Sequence, residues 1–256
     1  MRTPDELRGL VESYLGDLAL TPELHGQAQS VRYAIAGPGK RVRPVIVLAT
    51  AEAAGVDPEA ALPAGAALEL VHCFSLVHDD LPALDNDEER RGRPSTWAQY
   101  GEGVALLAGD ALLAEAFRLA LCYPSPQVAR ELANATLGMI GGQYLDITGT
   151  APDEATLHRL KTGCLFAASV GLALRVAEIP DAEQAPWRAF GDELGLLFQL
   201  VDDIIDGDGS VQTHGPERAR RLADEAAERA QARLAQVDAD TSVLAGIVGG
   251  LATRTG

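Results

Sequence analysis

A chain of 256 residues can form one large domain or two small ones, and its 47% content of hydrophobic residues is ample for a core. The formal net charge of −16 argues against nucleic acid as a partner, because proteins that bind nucleic acid carry basic surfaces. Aromatic residues contribute only 5%, so the predicted core is aliphatic and helical. The sequence contains no linker-like or repeated segment, which favours a single domain over residues 1–256.

Helical periodicity dominates the chain in sequence order. It predicts helices over residues 4–20, 26–36, 44–54, 63–80, 102–121, 126–148, 153–177, 182–206 and 216–237, with a charged loop over 85–94 and no strand. The helix over 63–80 is apolar on nearly all sides, which places it at the centre of the protein. Gly141-Gly142 lies inside a predicted helix, where a glycine pair permits a kink or the close approach of another helix.

The sequence gives no indication of a signal peptide or of a membrane span. The N-terminal segment lacks the apolar region of a signal peptide, and no uncharged apolar run reaches the length of about 18 residues that a membrane span requires. Cys73, Cys122 and Cys164 are odd in number and lie in apolar contexts, as reduced core thiols do. We therefore expect a cytoplasmic protein without a membrane span.

Two aspartate clusters each follow a long apolar run: Asp79-Asp80 with Asp85, and Asp202-Asp203 with Asp206. Carboxylates this crowded repel one another unless a counter-charge is present. Mg²⁺ characteristically joins a few protein carboxylates to substrate phosphates. An acidic helix end would explain either cluster alone, but the pair predicts two walls of one cleft around a metal-bound polyphosphate.

Basic and polar residues accompany these clusters on apolar helices. The runs Lys40-Arg41-Val42-Arg43 and Arg90-Arg91-Gly92-Arg93 concentrate positive charge in an acidic chain. His72 lies two helical turns before Asp79 and on the same helix face. Polar residues on apolar helices need partners, so we expect several of them to line one cavity. Besides His72, these residues are Gln143, Asp146, Lys161, Thr162 and Gln199.

Taken in order, these motifs resemble the trans-isoprenyl diphosphate synthases over roughly residues 25–206. The segments that carry the resemblance are Gly39–Pro44, Asp79–Asp87, Arg90–Pro94, Leu107–Leu113, Gly141–Gln143, Lys161–Gly163 and Phe198–Asp206. The resemblance implies an all-α, single-domain helical bundle around a deep central cavity, assembled as a homodimer. It also implies a Mg²⁺-dependent, head-to-tail condensation of isopentenyl diphosphate with an allylic diphosphate.

The resemblance further implies roles for individual residues. Three Mg²⁺ ions per active site would be held by the aspartates of both clusters, namely Asp79, Asp80, Asp85, Asp202, Asp203 and Asp206. The allylic diphosphate would be bound by Arg90, Lys161, Thr162 and Gln199. Isopentenyl diphosphate would be bound by Lys40, Arg43, His72 and Arg91. Catalysis would depend most on Asp79, Asp80, Asp202, Lys161 and Arg90.

Product length depends on the floor of the cavity in which the product grows. Phe74 lies five residues before Asp79, about 7.5 Å deeper along the helix at 1.5 Å per residue. A rigid ring there, with the small Cys73 beside it, predicts an early stop to chain growth. In similar enzymes an aromatic residue at this point accompanies fifteen-carbon products, so we favour farnesyl diphosphate, with geranyl and geranylgeranyl diphosphates as flanking possibilities.

The chain also departs from the family pattern. The family usually has a longer, lysine-containing loop after the second cluster, whereas here the loop near 207–215 is short and no lysine follows Lys161. Trp97-Ala98 replaces the usual His-Lys pair. Two alternatives remain: a catalytically weak partner subunit of a heteromeric prenyl synthase, and a class I terpene cyclase, whose second metal motif normally differs from Asp202–Asp206.

Overall fold

The computed structural model describes residues 1–37, 39–207 and 209–255. Its fold is all-α, which confirms the predicted class. Within the described ranges, extended structure is confined to β1 (Glu89–Arg90) and β2 (Arg93–Pro94), a two-residue antiparallel pair inside the charged loop. Arg91 and Gly92 both have positive φ values, 55° and 79°, which suit the tight turn between the two strands.

Helices make up the rest of the ordered elements. Their bounds are α1 Pro4–Gly16, α2 Ala28–Ile35, α3 Val42–Ala53, α4 Leu62–Asp79, α5 Thr96–Tyr100, α6 Glu102–Ala120, α7 Gln127–Thr148, α8 Glu154–His158, α9 Cys164–Val176, α10 Ala185–Asp206, α11 Gly209–His214, α12 Pro216–Leu234 and α13 Ser242–Ala252. A π-helical segment, Arg159–Gly163, joins α8 to α9. Short 3₁₀ turns occupy Pro22–Gln27, Pro58–Ala61, Asp181–Glu183 and Thr253–Thr255.

Helix α4 is central, as its apolar sequence predicts. Its side chains are mostly buried, and it packs against α3, α6, α7 and α9. The segment Pro58–Asp79 is long and apolar enough to cross a membrane by length and composition, but 67% of the qualifying stretch is buried inside the protein. A helix enclosed by other helices in this way has the features of a buried core helix rather than of a lipid-facing one.

Several elements differ from the sequence expectation. The helix predicted over 153–177 is divided into α8, the π-helical segment and α9. The segment after Asp206 was expected to be a loop, but Gly209–His214 is a short helix, while Asp208 lies outside the described residues. Helix α13 was not predicted, because its glycines weaken the helical pattern, yet Leu244, Val248 and Leu251 bury one face.

The expectation of three core thiols is wrong for one of them. Cys73 is buried and Cys164 is partly buried, but Cys122 is exposed just beyond the end of α6. The apolar residues around Cys122 suggested burial, but the chain reaches the surface after α6 ends at Ala120.

Candidate active site

Two adjoining cavities lie beside the C-terminal half of α4. The first, here called the apolar cavity, has a volume of about 420 Å³ and is lined mainly by α4, α7 and the π-helical segment. The second, here called the basic cavity, has a volume of about 680 Å³ and is lined chiefly by the start of α3, α4 and α10. Arg43, His72 and Thr162 line both cavities and therefore mark their junction.

The first aspartate cluster divides into exposed and buried members. Asp79, in the last turn of α4, lines the apolar cavity, and Asp85 is exposed in the loop beyond. Burial raises the pKa of Asp79 to about 6, and the neighbouring Asp85 adds to this effect while Lys161 opposes it. Asp80 is only 2% exposed and accepts a 2.7 Å hydrogen bond from Arg90 Nε.

The second cluster divides in the same way. Asp202 lines the basic cavity, and burial together with Asp206 raises its pKa to about 6 against the opposing charge of Lys40. Asp206 is exposed at the end of α10. Asp203 is 2% exposed and turns elsewhere: its carboxylate accepts hydrogen bonds from Gln199 Nε2 at 2.7 Å and from the Ser210 backbone N–H at 2.9 Å.

The oxygen donors at this junction suit a hard divalent cation. Asp79 and Asp202 resist ionisation because they are half-buried beside other carboxylates, and a bound cation removes that cost. Carboxylate oxygens are also the ligands that Mg²⁺ prefers. Asp79, Asp85, Asp202 and Asp206 would hold the ions directly, whereas Asp80 and Asp203 are already paired within the chain.

The basic cavity gathers the predicted cationic residues Lys40, Arg43 and Arg91 with His72. The Arg43 guanidinium lies 4.5 Å from the centre of the Phe166 ring and 5.8 Å from that of Phe198. Its Nε is buried and has no hydrogen-bond partner among the described residues, so this guanidinium has an unsatisfied donor beside the cavity. Burial and the neighbouring Arg43 and Arg91 hold the pKa of His72 well below its ordinary value, leaving a neutral imidazole.

A π-helical turn places Lys161 and Thr162 at the cavities. A Cβ atom on Gly142 of α7 would lie 2.4 Å from the Lys161 backbone nitrogen, and one on Gly195 of α10 would lie 3.0 Å from Gly163 Cα. The segment is thus held between two helices, at one point where a side chain would force a shift, Gly142, and at one where it would be tight, Gly195. Lys161 lines the apolar cavity and forms an ion pair with Asp146. π-Helical turns often occur at functional sites because they redirect side chains in this way.

Three residues predicted for substrate contact lie in other surroundings. Arg90 is paired with Asp80 and Asp87. Gln199 is bonded to Asp203 and lines a third cavity with Glu131 and His158. Cys73 lies beside Arg41 in a small separate pocket, where burial raises the pKa of its thiol to about 12. The prediction of a product floor therefore depends on Phe74, which does line the apolar cavity. Its ring packs edge-to-face with that of His78, with 4.8 Å between the ring centres.

Sequence reasoning missed the opposite wall of the apolar cavity. Met139, Ile140, Tyr144 and Ile147 of α7 line it together with the predicted Gln143. Their spacing of three or four residues places them on one helix face and was available from the sequence. What the sequence lacked was any indication that this face borders a cavity rather than a packed core.

Comparisons with known proteins agree with this architecture. A family model described as polyprenyl synthetase matches residues 26–225. A geranylgeranyl diphosphate synthase of Cyanophora paradoxa is 39% identical over 192 residues, which cover 69% of this chain and 64% of that protein. A farnesyl diphosphate synthase of Micrococcus luteus is 37% identical over 202 residues, which cover 73% of this chain and 68% of that protein.

Structural comparison gives the same result over nearly the whole chain. The apo crystal structure of an FPP/GFPP synthase from Zymomonas mobilis has a TM-score of 0.85 at 31% identity, covering 98% of this chain and 100% of that one. The all-α fold and its aspartate-lined cavities define an isoprenoid synthase architecture. The chain belongs to the polyprenyl synthetase family, and its match spans about two-thirds of the length of these curated relatives.

Proposed function

We propose that the protein is a Mg²⁺-dependent short-chain prenyltransferase that condenses isopentenyl diphosphate with an allylic diphosphate, head to tail. The observation that carries this proposal is the junction of an apolar and a basic cavity at Arg43, His72 and Thr162. Asp79 lies on the apolar side of the junction and Asp202 on the basic side. The apolar cavity thus has room for the hydrocarbon tail of the allylic substrate, and the basic cavity has cationic residues for the diphosphate of isopentenyl diphosphate.

The allylic substrate fits the apolar cavity. Its hydrocarbon tail would lie between α4 and α7, and its diphosphate would lie near Asp79, Asp202 and Lys161. Bound Mg²⁺ would neutralise charge on that diphosphate and so make it a better leaving group. Lys161 would contribute positive charge to the same anion, in place of its present partner Asp146.

Isopentenyl diphosphate fits the basic cavity. Lys40, Arg43 and Arg91 supply charge for its diphosphate, and neutral His72 can donate one hydrogen bond. When the allylic carbon–oxygen bond breaks, the double bond of isopentenyl diphosphate attacks the allylic carbon and a proton then leaves the new chain. The apolar walls exclude water from the cation, and the departing diphosphate is the nearest acceptor for the proton.

Farnesyl diphosphate is the product that we favour. Phe74 lines the apolar cavity and is 8% exposed, which supports the proposal that its ring forms the floor. The relatives named above are a farnesyl, a geranylgeranyl and an FPP/GFPP synthase, so farnesyl diphosphate is the shortest product that these names include. We further propose a single-domain, cytoplasmic homodimer that holds three Mg²⁺ ions in each active site.

The experiment that tests this function uses the purified chain alone. It is incubated with Mg²⁺, radiolabelled isopentenyl diphosphate and each allylic starter, and the products are then sized. We expect condensation, and we expect Asp79→Ala or Asp202→Ala to lower turnover by several orders of magnitude with the fold intact. Asp238→Ala, which removes an exposed carboxylate beyond α12, is the control and should retain activity.

The alternatives give different results in the same assay. No turnover by the chain alone, with turnover restored by a second subunit, would indicate the weak partner of a heteromeric synthase. Cyclised hydrocarbon products from an allylic diphosphate alone would indicate a terpene cyclase. Unchanged turnover in either aspartate variant would contradict the assignment of the metal ligands.

A further inference from the structure

Arg41 lies between Lys40 and Arg43 in sequence but differs from both in its surroundings. Its side chain is 3% exposed and lines the basic cavity together with Glu69. We propose that Arg41, acting through Glu69, is a positioning residue that fixes Lys40 and Arg43 for the diphosphate of isopentenyl diphosphate. This inference rests on the proposed function of the basic cavity and assigns a role to a residue that the motif comparison left without one.

The Arg41 guanidinium joins four parts of the chain. Its Nη1 donates to Glu69 Oε1 of α4 at 2.7 Å, and its Nε donates to Glu12 Oε1 of α1 at 2.9 Å. Its Nη2 donates to the backbone carbonyls of Ile35 at 2.7 Å and Gly37 at 3.2 Å, at the end of α2. Because Arg41 itself precedes α3, these bonds fix the start of α3 relative to α1, α2 and α4.

The backbone at Arg41 needs this support. Its φ and ψ values, 47° and 35°, are left-handed, and its side chain does not cap α3. Side chains other than glycine rarely adopt this conformation because Cβ then crowds the carbonyl oxygen. The bend allows the Arg41 side chain to reach Glu69 while Lys40 and Arg43, on either side of it, line the basic cavity.

Charge gives a second reason for the pairing. Glu69 is 3% exposed and lies one turn before His72, so an unpaired carboxylate there would repel a diphosphate in the basic cavity. Burial acts to lower the pKa of Arg41, but Glu69 and Glu12 raise it above its ordinary value. Arg41 therefore stays charged and neutralises Glu69, and the attraction for the substrate comes from Lys40, Arg43 and Arg91.

The rival explanation is that Arg41 binds the diphosphate directly. Of its five N–H donors, four already serve Glu12, Glu69 and two carbonyls, so a direct ligand would have to break a buried ion pair. The two roles predict opposite effects for loss of the Glu69 charge. In the positioning role, loss of the anchor outweighs the positive charge that is uncovered on Arg41, so binding of the diphosphate weakens. A direct ligand would instead be released toward the substrate, so binding would strengthen.

The test compares Glu69→Gln, Arg41→Lys, Arg41→Met and the double variant Arg41→Met/Glu69→Gln in steady-state kinetics. We expect Glu69→Gln to raise the KM for isopentenyl diphosphate about tenfold, which corresponds to about 1.4 kcal/mol, with less than a twofold change for the allylic substrate. The double variant should be no worse than Arg41→Met, since both changes break one unit. Arg41→Lys, which keeps one bond to Glu69, should fall between wild type and Arg41→Met.

A matched control is the ion pair of Arg188 with Glu131, which joins α10 to α7 at Nη1–Oε1 2.8 Å. Glu131→Gln and Arg188→Met should lower Tm without changing the KM for isopentenyl diphosphate. A lower KM in Glu69→Gln, or equal effects on both substrates, would overturn the proposed role of Arg41. Because glutamine has nearly the same shape as glutamate, Glu69→Gln should fold even if Arg41→Met does not, and its KM for isopentenyl diphosphate then tests the proposal alone.

Calorimetric binding of isopentenyl diphosphate, and of inorganic diphosphate, separates this inference from the proposed function. Wild-type protein that binds these anions without turnover would contradict the prenyltransferase proposal, while the order of affinities among the variants would still test Arg41. Unchanged affinity in Glu69→Gln and Arg41→Met would overturn the positioning role whatever the reaction.

Discussion

In each aspartate cluster, the two adjacent aspartates have different surroundings. Asp79 and Asp202 line the cavities, whereas their neighbours Asp80 and Asp203 are buried against Arg90 and against Gln199 with Ser210. Successive helical residues point about 100° apart, which agrees with the different surroundings of the two carboxylates in each pair. One aspartate of each pair therefore lines the apolar or the basic cavity, and the other is bonded to the segment that follows its helix.

The pKa values of Asp79 and Asp202 predict how Mg²⁺ binding depends on pH. Burial raises both to about 6 from an ordinary 3.8, so the folded, metal-free protein holds these protons more tightly than the unfolded chain. Their contribution to stability therefore falls as the pH rises from about 4 through 6. Since the cation binds the ionised carboxylates, we expect Mg²⁺ to raise Tm more at about pH 7.5 than at about pH 5.

Thermal unfolding with and without Mg²⁺ at the two pH values measures this difference. The Asp79→Asn/Asp202→Asn variant, which cannot ionise at either position, should lose most of the Mg²⁺ effect and its pH dependence. An equal increase in Tm at both pH values would show that these two carboxylates do not control binding of the ion.

Phe74 carries the prediction of product length. Replacing its ring with a methyl group opens the apolar cavity beneath the allylic tail, so Phe74→Ala should yield longer products than the wild type. The measurement is the distribution of product lengths from radiolabelled isopentenyl diphosphate. Phe117→Ala removes a ring that packs on the core and should lower stability without lengthening products. If the distribution stays the same in Phe74→Ala, another residue forms the floor.

At the scale of elements, the π-helical segment depends on two close approaches. Its backbone lies against Gly142 of α7 and Gly195 of α10, and it carries Lys161 and Thr162. The glycine pair Gly141-Gly142 indicated in the sequence that α7 meets another helix or kinks. The structure shows that only Gly142 makes that contact, because a Cβ on Gly141 would meet nothing within 4 Å.

The two glycines therefore provide a matched pair of variants. Gly142→Ala would place Cβ 2.4 Å from the Lys161 nitrogen, so the segment must shift and Lys161 with it. We expect turnover to fall at least tenfold, because the shift moves Lys161 away from its place at the cavity. The protein should still fold, with only a modest decrease in Tm. Gly141→Ala meets open space and should stabilise α7 slightly without changing turnover. Equal activity of the two variants would mean that the position of Lys161 does not limit the reaction.

Periodicity predicted the long helices well because each has one buried face or is buried all round. Helix α4 and its terminal Asp79 were placed correctly from the sequence, as was the charged loop after them, although the short strand pair within that loop was not predicted. The break between α8 and α9 was not, since it arises from contacts with Gly142 and Gly195 on other helices. The left-handed Arg41 likewise depends on a partner far away in sequence, Glu69, and the inward turn of Asp203 depends on Ser210, which lies beyond the end of its own helix.

At the scale of the whole molecule, a net charge of −16 is compatible with anionic substrates because charge is distributed unevenly. Lys40, Arg43 and Arg91 line one cavity, where they are more effective than they would be if scattered over the surface. The acidic residues beside them become part of the same binding site once a divalent cation is present. Local arrangement, rather than total charge, therefore determines what this protein attracts.

Helices α6 and α7 expose more apolar surface than an isolated chain requires. On α6, Leu106 and Leu107 are 48% and 55% exposed, and on α7, Leu137 and Tyr144 are 67% and 63% exposed. Stable interfaces bury roughly 800 Å² per partner and have an apolar centre, which two such helices can supply. Ile140, Tyr144 and Ile147 are partly exposed residues of the same helix that also line the apolar cavity, so covering α7 would complete the cavity wall.

We therefore predict a homodimer that buries α6 and α7. Light scattering at micromolar concentration should give a mass of about twice the chain's 26.9 kDa. The double variant Leu107→Asp/Leu137→Asp places charges in the buried centre and should produce monomers with lower turnover, because the cavity wall then opens to water. Leu196→Asp changes a 40% exposed leucine on α10 and should remain dimeric and active. A monomeric mass for the wild type would contradict the dimer, and a fully active monomeric variant would show that each apolar cavity is complete within one chain.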